Sequence, residues 1–255
     1  MNVLVTGATG FLGSRLLEEL CTWEYTNDII ATGRTKKSNS FTHSKIKYKL
    51  GDLTDKTFVM DLLSGIDCIV HAAALSSPWG SHHEFKDANV RTIENIIEVS
   101  IKLNVNRIVF ISSPSIYFKL DHQFDILETD PLPNPINEYA KTKRMAEIIL
   151  SKSGIDYVIL RPRALIGRGD TVIIPRLIRA HRSGRLSIIG DGTNCVDLTP
   201  VGNVVDAILL SLRVKGEGLN QIYNISNGNP VKLWDKIHYV FESLNFPLTL
   251  QHDQH

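Results

Sequence analysis

The chain opens on Asn2-Val3-Leu4-Val5-Thr6-Gly7-Ala8-Thr9-Gly10-Phe11-Leu12-Gly13, an apolar β-branched run leading into glycines at positions 7, 10 and 13. Leu12, Leu16, Leu17 and Leu20 then share one helical face. A strand, a glycine turn and a helix are therefore expected in direct succession. Residues without a Cβ let backbone pass close to a pyrophosphate, whose charge is met by the unpaired N–H groups of the helix start. The Gly-x-x-Gly-x-x-Gly spacing departs from the commoner Gly-x-Gly-x-x-Gly fingerprint, but a second strand at Asp28–Gly33 supplies the context such a motif requires. A dinucleotide is the first ligand implied.

Beyond this unit, short apolar runs alternate with longer amphipathic ones. Strands are expected at Ile46–Leu50, Ile66–His71, Arg107–Ser112 and Tyr157–Arg161, and helices at Asp55–Leu63, Phe85–Leu103 and Glu138–Ser151. The alternation implies right-handed β-α-β units and a doubly wound α/β fold on a parallel sheet. Ligands of such sheets lie outside the carboxyl ends of the strands. The residues there are mostly small: Thr6-Gly7, Gly33-Arg34, Gly51-Asp52, Ala72-Ala73-Ala74, Ser112-Ser113 and Pro162-Arg163.

After Arg163 the rhythm weakens, with runs at Leu186–Ile189, Val196–Val201 and Gln221–Ile225 and helices at Ile173–Arg182, Gly202–Leu212 and Leu233–Leu244. A dinucleotide-binding domain over residues 1–163 and a small substrate lobe over 164–255, interleaved with it, is the expected organisation.

The 28 basic and 27 acidic residues leave a net charge of +1, which gives no reason to expect nucleic acid or an anionic membrane as partner. The three cysteines, Cys21, Cys68 and Cys195, are too far apart in sequence to suggest a disulfide framework or a zinc site, and the nine histidines show no ligand spacing. A cytoplasmic setting fits. The first strand leaves no room for a signal peptide, and Asp206 interrupts the longest apolar candidate for a membrane span.

Tyr139 and Lys143 stand four apart on one expected helix face, where an ammonium beside a phenol favours the phenolate and lowers the tyrosine pKa. That makes a proton donor and acceptor usable near neutral pH. Ser112-Ser113, ending the fifth strand, places hydroxyls at the same sheet edge as the glycine turn, ready to hold a substrate oxygen.

Together Gly7-Ala8-Thr9-Gly10-Phe11-Leu12-Gly13, Gly51-Asp52-Leu53, His71-Ala72-Ala73-Ala74, Ser112-Ser113 and Tyr139-x-x-x-Lys143 resemble the extended short-chain dehydrogenase/reductases. Phe110–Tyr117 and Leu160–Leu165 look most like the branch of 3β-hydroxysteroid dehydrogenases and bacterial β-hydroxy/β-keto acid reductases. The resemblance implies that Tyr139 is the acid/base, that Lys143 holds the nicotinamide ribose and tunes it, and that Ser113, or its neighbour Ser112, binds the reacting oxygen. It matches Asn89 to an asparagine of the family's fourth helix, though a polar residue of an amphipathic helix explains it as well. Asp52 matches a residue contacting adenine, with a turn-stabilising role as the alternative. The cofactor-binding set is then Gly7, Thr9, Gly10, Phe11, Leu12, Gly13, Arg34, Asp52, Leu53, Ala72, Ala73, Ala74 and Pro162, with Tyr139 and Lys143. The family often dimerises through helices here at about 85–103 and 138–151, and it usually continues further, so the lobe is expected to be unusually small or truncated.

Where an Asp or Glu would signal NAD, the chain reads Thr32-Gly33-Arg34-Thr35-Lys36-Lys37, and a guanidinium there pairs with a 2′-phosphate. NADP(H) is favoured, with NAD the alternative. Relatives acting on nucleotide sugars commonly carry Asn where Ala164 stands and Arg where Val196 stands. Lacking both, the chain is read as transferring hydride between nicotinamide and a secondary alcohol or ketone, with sugar-nucleotide epimerisation or dehydration second and cofactor sensing third. Trp79 lines the substrate cleft on one reading and a surface loop on the other.

Overall fold

In the computed structural model, which describes residues 1–77, 79–188, 191–246 and 251–252, the opening segment forms β1 (Val3–Thr6) and α1 (Phe11–Thr22). There follow β2 (Ile29–Gly33), β3 (Ile46–Leu50), α2 (Lys56–Leu63) and β4 (Cys68–His71). Asp55 caps α2 by accepting from the Thr57 and Phe58 amides. The single helix expected over 85–103 is divided: α3 (His82–Lys86) and α4 (Thr92–Leu103) are joined by a π-turn over Asp87–Arg91. Next come β5 (Arg107–Ile111), a 3₁₀ turn (Pro114–Tyr117), α5 (Glu138–Ser151) and β6 (Asp156–Pro162).

The chain groups into two units, residues 1–162 with 204–225 and residues 163–203 with 226–255. In the second, β7 (Leu165–Ile166), α6 (Ile173–Arg182), β8 (Ser187–Ile188), β9 (Cys195–Val196) and β10 (Thr199–Pro200) precede α7 (Val201–Arg213), which runs back into the first unit. The first unit then gains β11 (Gln221–Ile225), and the second ends on β12 (Val231–Lys232), α8 (Leu233–Ser243) and β13 (Gln251–His252). Residues 204–225 thus lie with the sheet and not with the lobe to which the sequence pattern assigned them. The apolar face of α7, with Val204, Val205, Ile208 and Leu212 all buried, explains the difference. Ile189 of the expected run at 186–189, Pro78 of the Trp79 loop, and all of 248–255 except β13 lie outside the described residues.

The large sheet has seven strands, all parallel, in the order β11-β6-β5-β4-β1-β2-β3. Leu4, Ile69, Ile108, Phe110 and Ile159 pack on one face with Leu62, Ile93, Ile96 and Leu150 from the helices. Val3 and Val5, on the opposite pleat of β1, are equally buried, so both faces are covered. Strand order reverses between β1 and β4, whose last residues Thr6 and His71 pair in register. A crevice opens at such a reversal because the two flanking connections depart to opposite faces. The second unit pairs β10 with β7, β12 with β9 and β13 with β8, around a small cluster of Leu186, Ile237 and Phe241. Among the described residues no helix is long and apolar enough to cross a membrane.

Candidate active site

At the strand-order reversal the three glycines do different work. Gly7 turns at φ +67°, and a Cβ there would come within 2.8 Å of the Ala72 and Ala73 backbone. A Cβ on Gly13 would stand 2.3 Å from the Gly7 carbonyl oxygen. These two are required by contacts of the chain with itself, not by approach to a ligand. Gly10 is exposed at the N-cap of α1, with no side chain capping the helix. The first amides of α1, at Phe11, Leu12 and Gly13, therefore sit at an uncapped positive helix end, a fit for a pyrophosphate. Thr9 closes the neighbouring space, its Oγ1 lying 2.6 Å from where a Gly33 Cβ would be.

Thr6 locks this turn to the loop after β4: its Oγ1 accepts from the Ala73 amide at 3.1 Å and lies 2.8 Å from His71 Nδ1. With the hydroxyl accepting from Ala73, its proton is free to point at Nδ1, which assigns the ring proton of neutral His71 to Nε2. Burial, helped by Lys143, pushes the His71 pKa down to about 3. Its Nε2 has no partner. Ala72 and Ala73 are half-buried and Ala74 exposed, leaving a strand end free of bulky side chains.

Arg34, exposed after β2, faces a carboxylate that the residues around it in sequence do not contain. Asp52, at the end of the adjacent strand β3, takes a hydrogen bond from the Thr54 amide at 2.8 Å. That bond, then the Thr54 hydroxyl and the charges of Arg34 and Arg91, hold the Asp52 carboxyl below its ordinary range. Asp52 thus holds its own turn. Leu53 is buried in the core, and its carbonyl accepts from Asn95 Nδ2 at 3.0 Å. Pro162 is buried at the end of β6, in register with Ile225.

Ser113 caps the 3₁₀ turn, its Oγ accepting from the Ser115 amide at 3.2 Å, and its side chain is near enough to Tyr139 to act on the phenol's pKa. Ser112 is buried with an unpartnered Oγ, whereas Ser113 is half-buried. Tyr139 lies in the first turn of α5, which Asn137 caps through the Ala140 amide at 2.8 Å. Burial raises the Tyr139 pKa, and Ser113 lowers it in part. The lowering by Lys143 expected from sequence is not what this geometry produces. Lys143 Nζ donates to the Ile111 carbonyl at 2.6 Å and lies 4.0 Å from the centre of the Phe110 ring. Its burial, offset in part by Glu147, brings the ammonium pKa down to about 7.

Asn89 is bonded within the fold. It sits buried in the π-turn, where Oδ1 accepts from the Leu75 amide at 2.8 Å and Nδ2 reaches the Leu75 carbonyl and Thr142 Oγ1 at 3.3 and 3.1 Å. Both polar atoms help tie the loop after β4 to α5. Trp79 is 84% exposed, as a surface-loop tryptophan would be. Sequence reasoning named Thr6 and His71 only as a strand-end and a motif residue, without a role, and missed a buried ion pair one turn beyond Lys143. There Glu147 is bidentate with Arg161, at 3.0 Å to Nε and 2.6 Å to Nη2. A glutamate four residues after Lys143 and an arginine in an apolar strand were the available signals.

Comparison with known proteins agrees with this architecture. The NAD dependent epimerase/dehydratase family matches residues 3–226. The 2-alkyl-3-oxoalkanoate reductase of Stenotrophomonas maltophilia (strain K279a) is 31% identical over 97% of this chain and 77% of its own. The 3beta-hydroxysteroid-dehydrogenase/decarboxylase isoform 1 of Arabidopsis thaliana is 30% identical over 95% of this chain and 61% of its own. Among solved structures, MoeE5 in complex with UDP-glucuronic acid and NAD is 30% identical, with a TM-score of 0.83 over 99% of this chain and 85% of that one. A family match across the whole sheet, joined to a relative 31% identical over 97% of the chain, assigns the chain to the NAD dependent epimerase/dehydratase family, as an NAD(P)-dependent oxidoreductase of the extended short-chain type.

Proposed function

We propose that this enzyme reduces a ketone, or oxidises the matching secondary alcohol, on a largely apolar substrate of the keto/hydroxy acid or sterol kind. The observation that carries the reading is Tyr139 and Lys143 one turn apart on α5, with Lys143 buried and bonded to the Ile111 carbonyl at the end of β5, two residues before Ser113, at the sheet edge that holds the glycine turn. When bound, the nicotinamide dinucleotide supplies or accepts the hydride. The uncapped start of α1 holds the pyrophosphate, and the exposed Arg34 meets a 2′-phosphate, which favours NADP(H) over NAD. Asp52 and Leu53 flank the adenine end, and Ala72, Ala73, Ala74 and Pro162 line the strand ends. Ser113 holds the carbonyl oxygen and Tyr139 delivers the proton to it. Lys143, near its titration point, is favoured in the protonated form by an anionic cofactor, and its charge then eases loss of the Tyr139 proton. The names of the two relatives above support the substrate class, as does the lack of Asn and Arg at Ala164 and Val196. A cytoplasmic setting and a homodimer through α4 and α5 belong to the same proposal.

Tyr139→Phe removes the transferable proton and leaves the cofactor contacts in place. Turnover of a 2-alkyl-3-oxoalkanoate with NADPH is expected to fall by roughly 10²-fold or more. NADPH affinity, followed by fluorescence titration, is expected to hold. Retained turnover would remove Tyr139 from the mechanism. The likeness to MoeE5 bound to UDP-glucuronic acid favours epimerisation as the second reading. An epimerase would purify with tightly held NAD and recycle it, whereas a reductase consumes NADPH in step with the ketone.

A further inference from the structure

Between the Ser113 turn and the Tyr139 helix the chain runs through residues 118–137 without a helix or strand. Its two ends are thus fixed to the two groups proposed to act on the substrate oxygen. In between it presents Leu120 and Phe124, 92% and 74% exposed. Hydrogen bonds tie the interior of this segment to the rest of the fold. Arg144 Nη1 donates to the Pro133 carbonyl at 3.0 Å. Two more ties from its interior meet one residue of the outermost strand: the Asn224 amide donates to Glu128 Oε1 at 2.6 Å and Asn224 Nδ2 to the Ile126 carbonyl at 3.0 Å.

The Asn224 side chain is itself held. Tyr117 donates to its Oδ1 at 3.1 Å, and Arg161, locked by Glu147, donates to the Tyr117 hydroxyl. A relay of side chains therefore links α5 through β6 and the 3₁₀ turn to β11, and from there to the segment. We propose that Asn224 is a positioning residue for substrate binding, holding the 118–137 segment in the arrangement that receives the apolar part of the substrate. The inference rests on the reductase reading, since it takes Ser113 and Tyr139 as the reacting groups. Its physical basis is preorganisation. A segment with no internal ladder would otherwise be ordered at the expense of binding, and apparent affinity falls by the fraction of molecules in which it is out of place. Neither Asn224 nor Glu128 touches Ser113, Tyr139 or Lys143 through any bond described above, so the chemical step is spared.

The test combines kinetics with amide exchange on Asn224→Ala, Asn224→Asp and Glu128→Ala, using NADPH and a 2-alkyl-3-oxoalkanoate as the probe. Asn224→Ala loses both side-chain bonds; Asn224→Asp keeps the acceptor for Tyr117 and loses the donor to Ile126. Each variant is expected to raise KM for the ketone about tenfold, the equivalent of one to two hydrogen bonds. kcat and NADPH affinity stay at the parent values, and amide exchange quickens within 118–131 but not in β5 or β6. An unchanged KM overturns the proposal, as does a joint fall in kcat and cofactor affinity, which a merely structural role would give. Should the Asn224 variants not fold, Glu128→Ala carries the same comparison alone. A parent enzyme that turns over no ketone instead defeats the reductase reading, an outcome distinct from a parent that is active and variants that match it.

Discussion

His71 is neutral in the fold because its ring is buried against Phe110 and accepts from Thr6, with a cationic Lys143 nearby. Its folded pKa of about 3 lies below the ordinary 6.5, so the unfolded chain binds the extra proton between those values. Stability is then complete above pH 6.5 and is lost as pH falls toward 3. One proton of difference is worth about 1.4 kcal/mol per pH unit, or roughly 3 °C in Tm for a chain of this size. Thermal unfolding from pH 7 to 5 should show Tm declining below about pH 6 in the parent and flat over the same range in His71→Asn. An identical slope in the two would remove His71 as the cause. Glu98, held down to about 2 by Lys56 and Lys102, acts only in a more acid window. Lys143 acts above pH 7, where its depressed pKa makes stability rise with pH toward 10.5. The types and spacing of Ser113, Tyr139 and Lys143 were legible in the sequence. Their electrostatics were not, because the effect of an ammonium on a phenol depends on where Nζ is drawn, and here the Ile111 carbonyl draws it.

Among the elements, α1 shows how one motif divides its labour. Gly13→Ala drives a Cβ into the Gly7 carbonyl, backbone against backbone, and is expected to cost about 3 kcal/mol or more in stability, seen as a lowered urea midpoint. Gly10→Ala meets only the Gly7 oxygen at 3.1 Å, and is expected to keep stability to within about 1 kcal/mol while weakening NADPH binding about tenfold. If both variants behaved alike, the separation of packing from binding would be wrong. Strand and helix positions in the first unit were readable because apolar periodicity is strong there, as β3 and α5 show by matching residue for residue. The π-turn was not readable. An inserted residue preserves an apolar pattern on both sides, and only the bonds of Asn89 reveal why the helix widens at that point. The role of β11 was also hidden, since a five-residue strand pattern such as Gln-Ile-Tyr-Asn-Ile looks the same in a lobe and at a sheet edge.

For the whole molecule, the first unit is completed only by residues that follow an excursion through the second. A chain stopped after Pro162 would lose α7, with four fully buried apolar side chains worth about 1.5–3 kcal/mol each, and would bare the whole edge of β6. It would also lose the anchor from Arg107 to the Ser211 carbonyl at 2.8 Å. Such a fragment is expected to elute as aggregates in size-exclusion chromatography and to unfold without a cooperative transition. A monomeric, sharply melting fragment would show that β11 and α7 are dispensable to the sheet. The interleaving suggested by sequence came from a weakening rhythm alone, which marks that the chain leaves the sheet but not that it returns.

The return of β11 also has a temporal side. At a synthesis rate of about 5–20 residues per second, β6 waits several seconds after leaving the ribosome before its outer neighbour exists. During that interval the main-chain groups of Val158–Pro162, later paired with Gln221–Ile225, face outward as an unfinished sheet edge. The newborn chain is therefore most prone to wrong strand pairing before β11 arrives, and a holding chaperone would matter most in that window.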